Sequence, residues 1–206
     1  MATLEELIAD VLLFVDRPDL LDVARRSATE VLFKCHRSGD YSRDLTITAD
    51  EPVDESASTT VLTLPDLYRK LAGIEGGTSA GLPLYGYAPK VVGIAPPIGY
   101  AGLRDTNDRY RIAGNQLTIF HYQSVRPAVI RLAYFAYPTV TTAVDGTVST
   151  TSWLLSNYRD VVTWRFVLQL ASLIDDKAMQ QTASAQYTES LSQLLASELV
   201  DLPEQY

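Results

Sequence analysis

Residues 160–174 read DVVTWRFVLQLASLI, a run in which almost every position is apolar except Arg165, Gln169 and Ser172. Spaced by four and three, these polar residues fall along one narrow line of a helix, and the rest of the helix surface is apolar. A helix of that kind is largely buried. Downstream, Asp175-Asp176-Lys177 interrupts the pattern, after which Met179, Ala183, Tyr187, Leu191, Leu194 and Leu195 form an amphipathic stripe to about Leu199. The pattern predicts two helices joined by a tight turn; with no glycine or proline at the junction, one long helix is the alternative. Adjacent residues on a helix point apart, so Asp175 and Asp176 suit a turn or an N-cap better than a pair of catalytic acids.

A buried helix needs partners, and the other end of the chain offers them. Thr3 followed by Glu6 has the capping-box spacing, and Leu4, Ile8, Val11, Leu12 and Val15 lie on one helical face, which predicts a helix over residues 4–15. Asp16-Arg17-Pro18-Asp19 marks a turn and a new helix start. Leu20, Val23, Ser27, Val31, Leu32 and Cys35 then continue an apolar stripe until Gly39 offers a stop. The expected unit is a helical hairpin, with Arg25, Arg26, Glu30, Lys34 and Arg37 on a solvated face.

Between the two ends the periodicity changes. Leu45, Ile47, Val61, Leu62 and Leu64 sit among threonines and serines, and the acidic segment from Asp50 to Ser56 fits a hairpin loop. Residues 73–103 are rich in glycine and proline and are expected to be mostly loop. The clearest hairpin is Arg109–Ala113, a short Gly114-containing connection, and Leu117–Phe120. Ala128–Tyr137, bounded by Pro127 and Pro138, suits a third strand, and Thr139–Thr151 reads as a threonine-rich connector. The fold class is therefore α+β: a helical bundle made by the N- and C-terminal helices, with a β-rich insertion of antiparallel strands between them.

Composition narrows the function. Of 206 residues, 47% are hydrophobic and 20% charged, which suits a folded core rather than a disordered chain. The start of the chain has acids where a signal peptide needs basic residues, and no charge-free stretch reaches the roughly 20 apolar residues of a membrane span. A single cysteine, Cys35, excludes an internal disulfide and reads as a small buried side chain. Net charge is −8, and the acids concentrate at the two ends: residues 1–60 hold 13 acidic and 6 basic side chains. No lysine- and arginine-rich run exists to neutralise phosphates, so tight DNA binding is disfavoured.

No motif points to chemistry. Gly77-Thr78-Ser79-Ala80-Gly81 matches the G-x-S-x-G pattern that exposes a nucleophilic serine on a strand-to-helix turn, but Leu82-Pro83 follows where the helix should start. The same prolyl segment replaces the Lys-Ser/Thr pair of a phosphate-binding loop. His36 and His121 have no Cys, His or carboxylate at metal-ligand spacing and read as ordinary surface or partly buried residues. Asp105, Asn107 and Asp108 read as a solvated loop. The twelve tyrosines and the tryptophans Trp153 and Trp164 read chiefly as core and interface residues. No catalytic, metal-binding or cofactor-binding residue is expected.

Several segments together resemble the head-to-tail adaptor (neck, connector) proteins of tailed bacteriophages. They are Tyr110–Ile119, Ile130–Pro138, Trp153-Leu154-Leu155-Ser156-Asn157-Tyr158, and the buried helix followed by Asp175-Asp176 and the Tyr187 helix. Leu62-Thr63-Leu64-Pro65-Asp66-Leu67-Tyr68 is similar to the family's LPxDF segment, and the N-terminal hairpin stands in the expected place. Two departures are Arg159, where the family often has proline, and the glycine-rich residues 73–103. The resemblance implies a single adaptor domain with a helical core at 3–39 and 153–199, a β-rich insertion at 41–138 and a C-terminal arm at 200–206. It implies a structural virion protein, made in the host bacterial cytoplasm. Its subunits would form a homo-dodecameric ring in the virion neck. The ring would bind the portal protein on one side and a downstream tail or neck protein on the other, and DNA would pass through its acidic lumen without sequence-specific binding. Neither enzyme activity, cofactor nor membrane is implied. The alternatives are another neck ring, a head-completion or tail-terminator protein, and, remotely, a small serine hydrolase using Ser79.

Overall fold

The structure, a computed structural model, describes residues 3–54, 56–78, 80, 82–84, 87, 89–91, 108–122 and 126–198. The first helix, α1 (Leu4–Val15), opens on the capping box: the Glu6 amide donates to the Thr3 hydroxyl at 3.1 Å, and the Thr3 amide donates to the Glu6 carboxylate at 2.8 Å. It closes on Asp16 in the left-handed region, φ 53°. A 3-10 turn at Pro18–Leu20 leads into α2 (Leu21–His36). The buried face of α2 is Ala24, Ala28, Val31, Leu32, Cys35 and His36, not the stripe through Val23 and Ser27. The error lies in weighting side chains by hydrophobicity: the alanines at 24 and 28 carry little apolar area, yet they sit at the exact helical continuation of Leu32. The helix also stops at His36, short of Gly39.

Residues Leu45–Ala136 form a compact β unit. Its strands are β1 (Leu45–Ile47), β2 (Glu51–Pro52), β3 (Thr59–Thr63), β4 (Tyr68–Gly77), β5 (Lys90–Val91), β6 (Arg109–Ala113), β7 (Gln116–Phe120) and β8 (Val129–Ala136). In one sheet β8 is central, pairing antiparallel with β4 along one edge and with β1 and β2 along the other. The second sheet runs β3-β7-β6-β5, antiparallel except for the parallel β5–β6 pair. The β6–β7 hairpin pairs Ala113 with Gln116 across Gly114-Asn115, and the positive φ of Gly114, 60°, is the turn position that glycine fills without strain. Leu62, Leu64, Ile74, Leu117, Ile119, Ile130, Leu132 and Tyr134 come from both sheets and share one core. At about 1.5–3 kcal/mol for each fully buried side chain of this size, that core stabilises the unit.

Two expectations fail in this unit. Glu51-Pro52 is a short edge strand rather than part of a loop, and proline is tolerated there because an edge strand has one unpaired side. The first glycines of the 73–103 segment lie in β4, the longest strand. Gly76 and Gly77 are there for space: a Cβ at Gly76 would come within 2.7 Å of the Tyr87 ring and 2.9 Å of Pro127, and one at Gly77 within 2.8 Å of Val129. Glycine content therefore signals close approach here, not a turn.

The remaining elements are β9 (Val140–Thr142), β10 (Val148–Thr150), α3 (Trp153–Asn157), α4 (Arg159–Leu173) and α5 (Lys177–Glu198). The threonine-rich connector is thus a hairpin, turning at Gly146 with φ 83°, and the β-branched threonines flanking Asp145-Gly146 are its strand and turn signals. Between α4 and α5, Asp175 adopts φ 56° and Asp176 caps α5 by accepting the Met179 amide at 2.9 Å. These elements form a second compact unit with the chain up to Asp44. Its core joins α1, α2, α4 and α5, including Leu7, Ile8, Val11, Val31, Leu32, Val162, Phe166, Leu170, Ala183 and Leu194. The helix-flanked β insertion is therefore the architecture of the chain, and the residues assigned to a C-terminal arm, 200–206, lie outside the described residues.

Overpacking predicts that Gly76→Ala destabilises the chain by about 1–3 kcal/mol, because the atoms it meets belong to rings. Gly73→Ala, whose Cβ would lie 4.0 Å from Ala133, should change stability by no more than about 0.5 kcal/mol. Urea unfolding midpoints of the two variants measure the difference.

Candidate functional site

Both histidines, expected from sequence to be ordinary surface or partly buried residues, are buried in Asp–His–hydroxyl networks. In the helical unit, the last residue of α2 turns inward: His36 is 0% exposed and its Nδ1 lies 2.8 Å from Asp44 Oδ2. Its Nε2 lies 2.9 Å from the Ser152 hydroxyl. Because a carboxylate only accepts, the ring's Nδ1–H donates to Asp44, and in the neutral ring Nε2 accepts from Ser152. Trp153 Nε1–H donates to the other Asp44 oxygen at 2.7 Å. The Trp153 ring meets His36, Tyr41 and Tyr158 edge-on, and Arg43 lies over its face at 5.2 Å. Arg43 also pairs with Glu198 at 3.2 Å, and the Tyr158 hydroxyl lies 2.8 Å from Ser197 Oγ. The end of α2, the start of α3 and the end of α5 are thereby fastened together.

The β unit repeats the arrangement with other elements. His121 Nδ1 lies 2.8 Å from Asp108 Oδ2, and Nε2 lies 2.8 Å from the Thr60 hydroxyl. The second Asp108 oxygen accepts the Tyr122 amide at 2.8 Å. Asp108 is 0% exposed, so it is a core residue and not a solvated loop acid; Asp105 and Asn107 lie outside the described residues. Beside this cluster, burial pushes the Tyr87 phenol up, and the Asp108 carboxylate adds to the shift. This network ties the start of β3, the start of β6 and the end of β7.

An Asp–His–Ser line is the arrangement that activates a serine nucleophile. Here the geometry is the same but the setting is different: Ser152 is 5% exposed and His36 fully covered, so the hydroxyl meets protein rather than a substrate carbonyl. These networks satisfy buried polar groups and fix the joints between elements. Ser79 lies outside the described residues. Around it the chain doubles back antiparallel: the Thr78 amide donates to Leu82 O, the Leu84 amide donates to Gly76 O, both at 2.8 Å, and Gly77 bridges Pro83. Among the described residues no helix follows β4 there. Among the described residues no group of three or more His, Cys, Asp or Glu could hold a metal ion, and no helix is long and apolar enough to cross a membrane.

The outer surface of the helical unit carries large apolar side chains. Leu13 is 79% and Leu173 58% exposed, and Phe14, half exposed, packs edge-on against Trp164 at 5.3 Å between centroids. Large side chains left in water on a unit with a complete core mark surfaces available to a partner.

Removing Asp44 takes the acceptor from a buried donor on His36 and from a part-buried one on Trp153, whereas removing the Ser152 hydroxyl takes one partner from the His36 ring. Asp44→Ala is expected to cost about 2–4 kcal/mol and Ser152→Ala about 1–2 kcal/mol, measured by guanidinium unfolding followed through tryptophan fluorescence. A second outcome concerns pH. Burial pushes the Cys35 thiol from 9.0 up to about 12 and the Tyr41 phenol from 10.0 up to about 12. Their neutral forms are favoured in the fold, so this stability is complete below about pH 9 and is lost as pH rises from there toward 12. Unfolding midpoints should fall over that range, and Cys35 should resist a thiol reagent at neutral pH until the chain is unfolded.

In comparisons with known proteins, no family model matches the chain and no curated protein matches it significantly.

Proposed function

We propose that this chain is a structural ring subunit of a bacteriophage neck, a head-to-tail adaptor that joins the portal to the next tail or neck protein. The observation that carries the reading is the shared helical core: helices from the two chain ends, with residues 45–136 inserted between them, bury one another in a single unit while Leu13 and Leu173 stay in water. A building block of this kind meets the needs of a closed ring. It is stiff enough to hold a fixed rotation between neighbours, and it has apolar surface left for them. The resemblance of Tyr110–Ile119, Ile130–Pro138 and Trp153–Tyr158 to adaptor proteins supports the same reading, as does the order of elements. Net charge of −8 suits a channel along which DNA slides by repulsion instead of adhering. In this role the protein performs no chemistry, and it resides in the virion after synthesis in the host cytoplasm.

Native mass spectrometry of the purified chain, alone and mixed with a portal protein, is expected to give a closed dodecameric ring in at least one condition. A chain that stays monomeric in both loses the proposal. Co-assembly with a tail tube in place of the portal would favour a tail-terminator ring.

A further inference from the structure

In the second sheet β3 stands at the edge, paired with β7 alone. Two bonds fix which way its backbone groups point: the His121 amide donates to Ser58 O at 3.0 Å, and the Leu64 amide donates to Asn115 O at 2.7 Å. Bonded and non-bonded pairs alternate along an antiparallel ladder, so Ser58, Thr60, Leu62 and Leu64 turn their amides and carbonyls toward β7. Thr59, Val61 and Thr63 turn theirs outward, and no hydrogen bond among the described residues reaches them. Their side chains are exposed as well, Val61 at 55%, while Leu62 between them enters the core. A bare edge is a template for another strand, and proteins guard it with charge, proline, bulges or shortness. The other edges described in the β unit are guarded. Pro52 lies in β2, β4 is bent by register shifts between Tyr68 and Lys70 and between Leu71 and Gly73, and β1 and β5 have only 3 and 2 residues. By contrast β3 is 5 residues, TTVLT, in unbroken register with β7.

This edge fits a copy of itself. Its outward residues are Thr59, Val61 and Thr63, which read the same in both directions about Val61. An antiparallel copy sets Val61 against Val61 and Thr59 against Thr63, and every outward amide then meets an outward carbonyl of the other copy. β-Branched residues opposite one another are favourable cross-strand neighbours, and the two Val61 side chains cover each other. Charge permits the approach: no residue from Ser56 to Pro65 is charged. Leu45–Ala136 holds 8 acidic and 8 basic side chains, so the net charge of −8 belongs to the helical unit. Two copies meet along β3 without like charges in the pairing strands.

We propose that β3 pairs antiparallel with β3 of a second copy of this chain, joining two four-stranded sheets into one. A two-fold contact closes at two copies, whereas a ring needs a head-to-tail contact. The pairing is therefore separate from the ring contact and does not rest on the ring reading.

Cysteines placed along the edge read the register. Position 61 lies opposite position 61 of the other copy, at the Cα separation of about 5.5 Å that a hydrogen-bonded pair has and a disulfide spans. Position 59 faces position 63 instead, and lies about 13 Å along the strand from position 59 of the other copy, too far to bridge. Under mild oxidation Val61→Cys should form covalent dimers at least about tenfold faster than Thr59→Cys or Thr63→Cys alone, because pairing raises the local thiol concentration. An equimolar mixture of Thr59→Cys and Thr63→Cys should crosslink as Val61→Cys does. Non-reducing electrophoresis measures the dimers, with the natural chain, whose Cys35 is buried, as control. Val61→Lys puts a charge on the edge and should weaken dimerisation in sedimentation equilibrium by at least about tenfold. All four positions of substitution are exposed side chains, and circular dichroism verifies folding; if Val61→Cys fails to fold, the mixture of the other two variants still decides the register. Equal crosslinking by the three single variants, a mixture that does not crosslink, or a Val61→Lys chain that dimerises like the natural one overturns the pairing. The ring reading stands or falls by its own assembly with the portal.

Discussion

The structure depends on covering α4. Val161, Val162, Phe166, Val167, Leu170 and Ala171 are all buried, and no neighbour in sequence can cover them all. The chain solves this by bringing α1 and α2 back against α4 and laying α5 along it. Because the covering helices come from both ends of the chain, the residues between them must leave from one point of the helical unit and return to another. That constraint alone makes Leu45–Ala136 an insertion.

Both crossing points are secured inside the helical unit, at the last turn of α2. Asp44, the final residue before the insertion, is held by His36 and Trp153. Tyr137, the first residue after it, stacks on Phe33 at 4.3 Å and takes a hydrogen bond from Arg37. Short polar bonds of this kind add little net stability each when compared with water. Their value is directional: where such a bond is buried, as between His36 and Asp44, it allows one arrangement of the elements it joins, which apolar packing alone does not enforce. That the β unit uses the same Asp–His–hydroxyl device at Asp108, His121 and Thr60 shows how few side-chain types can bridge three elements in a dry interior.

The helices were legible because each displays a period that only burial on one side explains; the capping box at Thr3 fixed the start of α1, whereas the end of α2 fell short of Gly39. The strands of the hairpin at Gly114 and of β8 were legible for the same reason. What was misread has a common cause, namely judging residues by type instead of by position. Ala24, Ala28, Leu32 and His36 form an unbroken series of four-residue steps, and Leu117, Ile119 and His121 an unbroken series of two-residue steps. A histidine that ends such a series points into the core and must find a partner there. The partners themselves were not legible: Asp44 and Asp108 are near in sequence but carry no pattern, and Ser152 and Thr60 are brought in only by tertiary folding. Gly76 misled in the opposite sense, since nothing local distinguishes a glycine that makes room for a tyrosine ring from one that makes a turn.

Rigidity and exposed apolar surface together suit the helical unit to the ring proposed for it. Its interior is fixed by packing and by paired polar groups, so a neighbour meets a surface of constant shape and little entropy is lost in ordering it on contact. Its surface is unfinished, with Leu13 and Leu173 in water. Large apolar side chains left in water are unfavourable for an isolated chain, and a partner that covers them removes that cost.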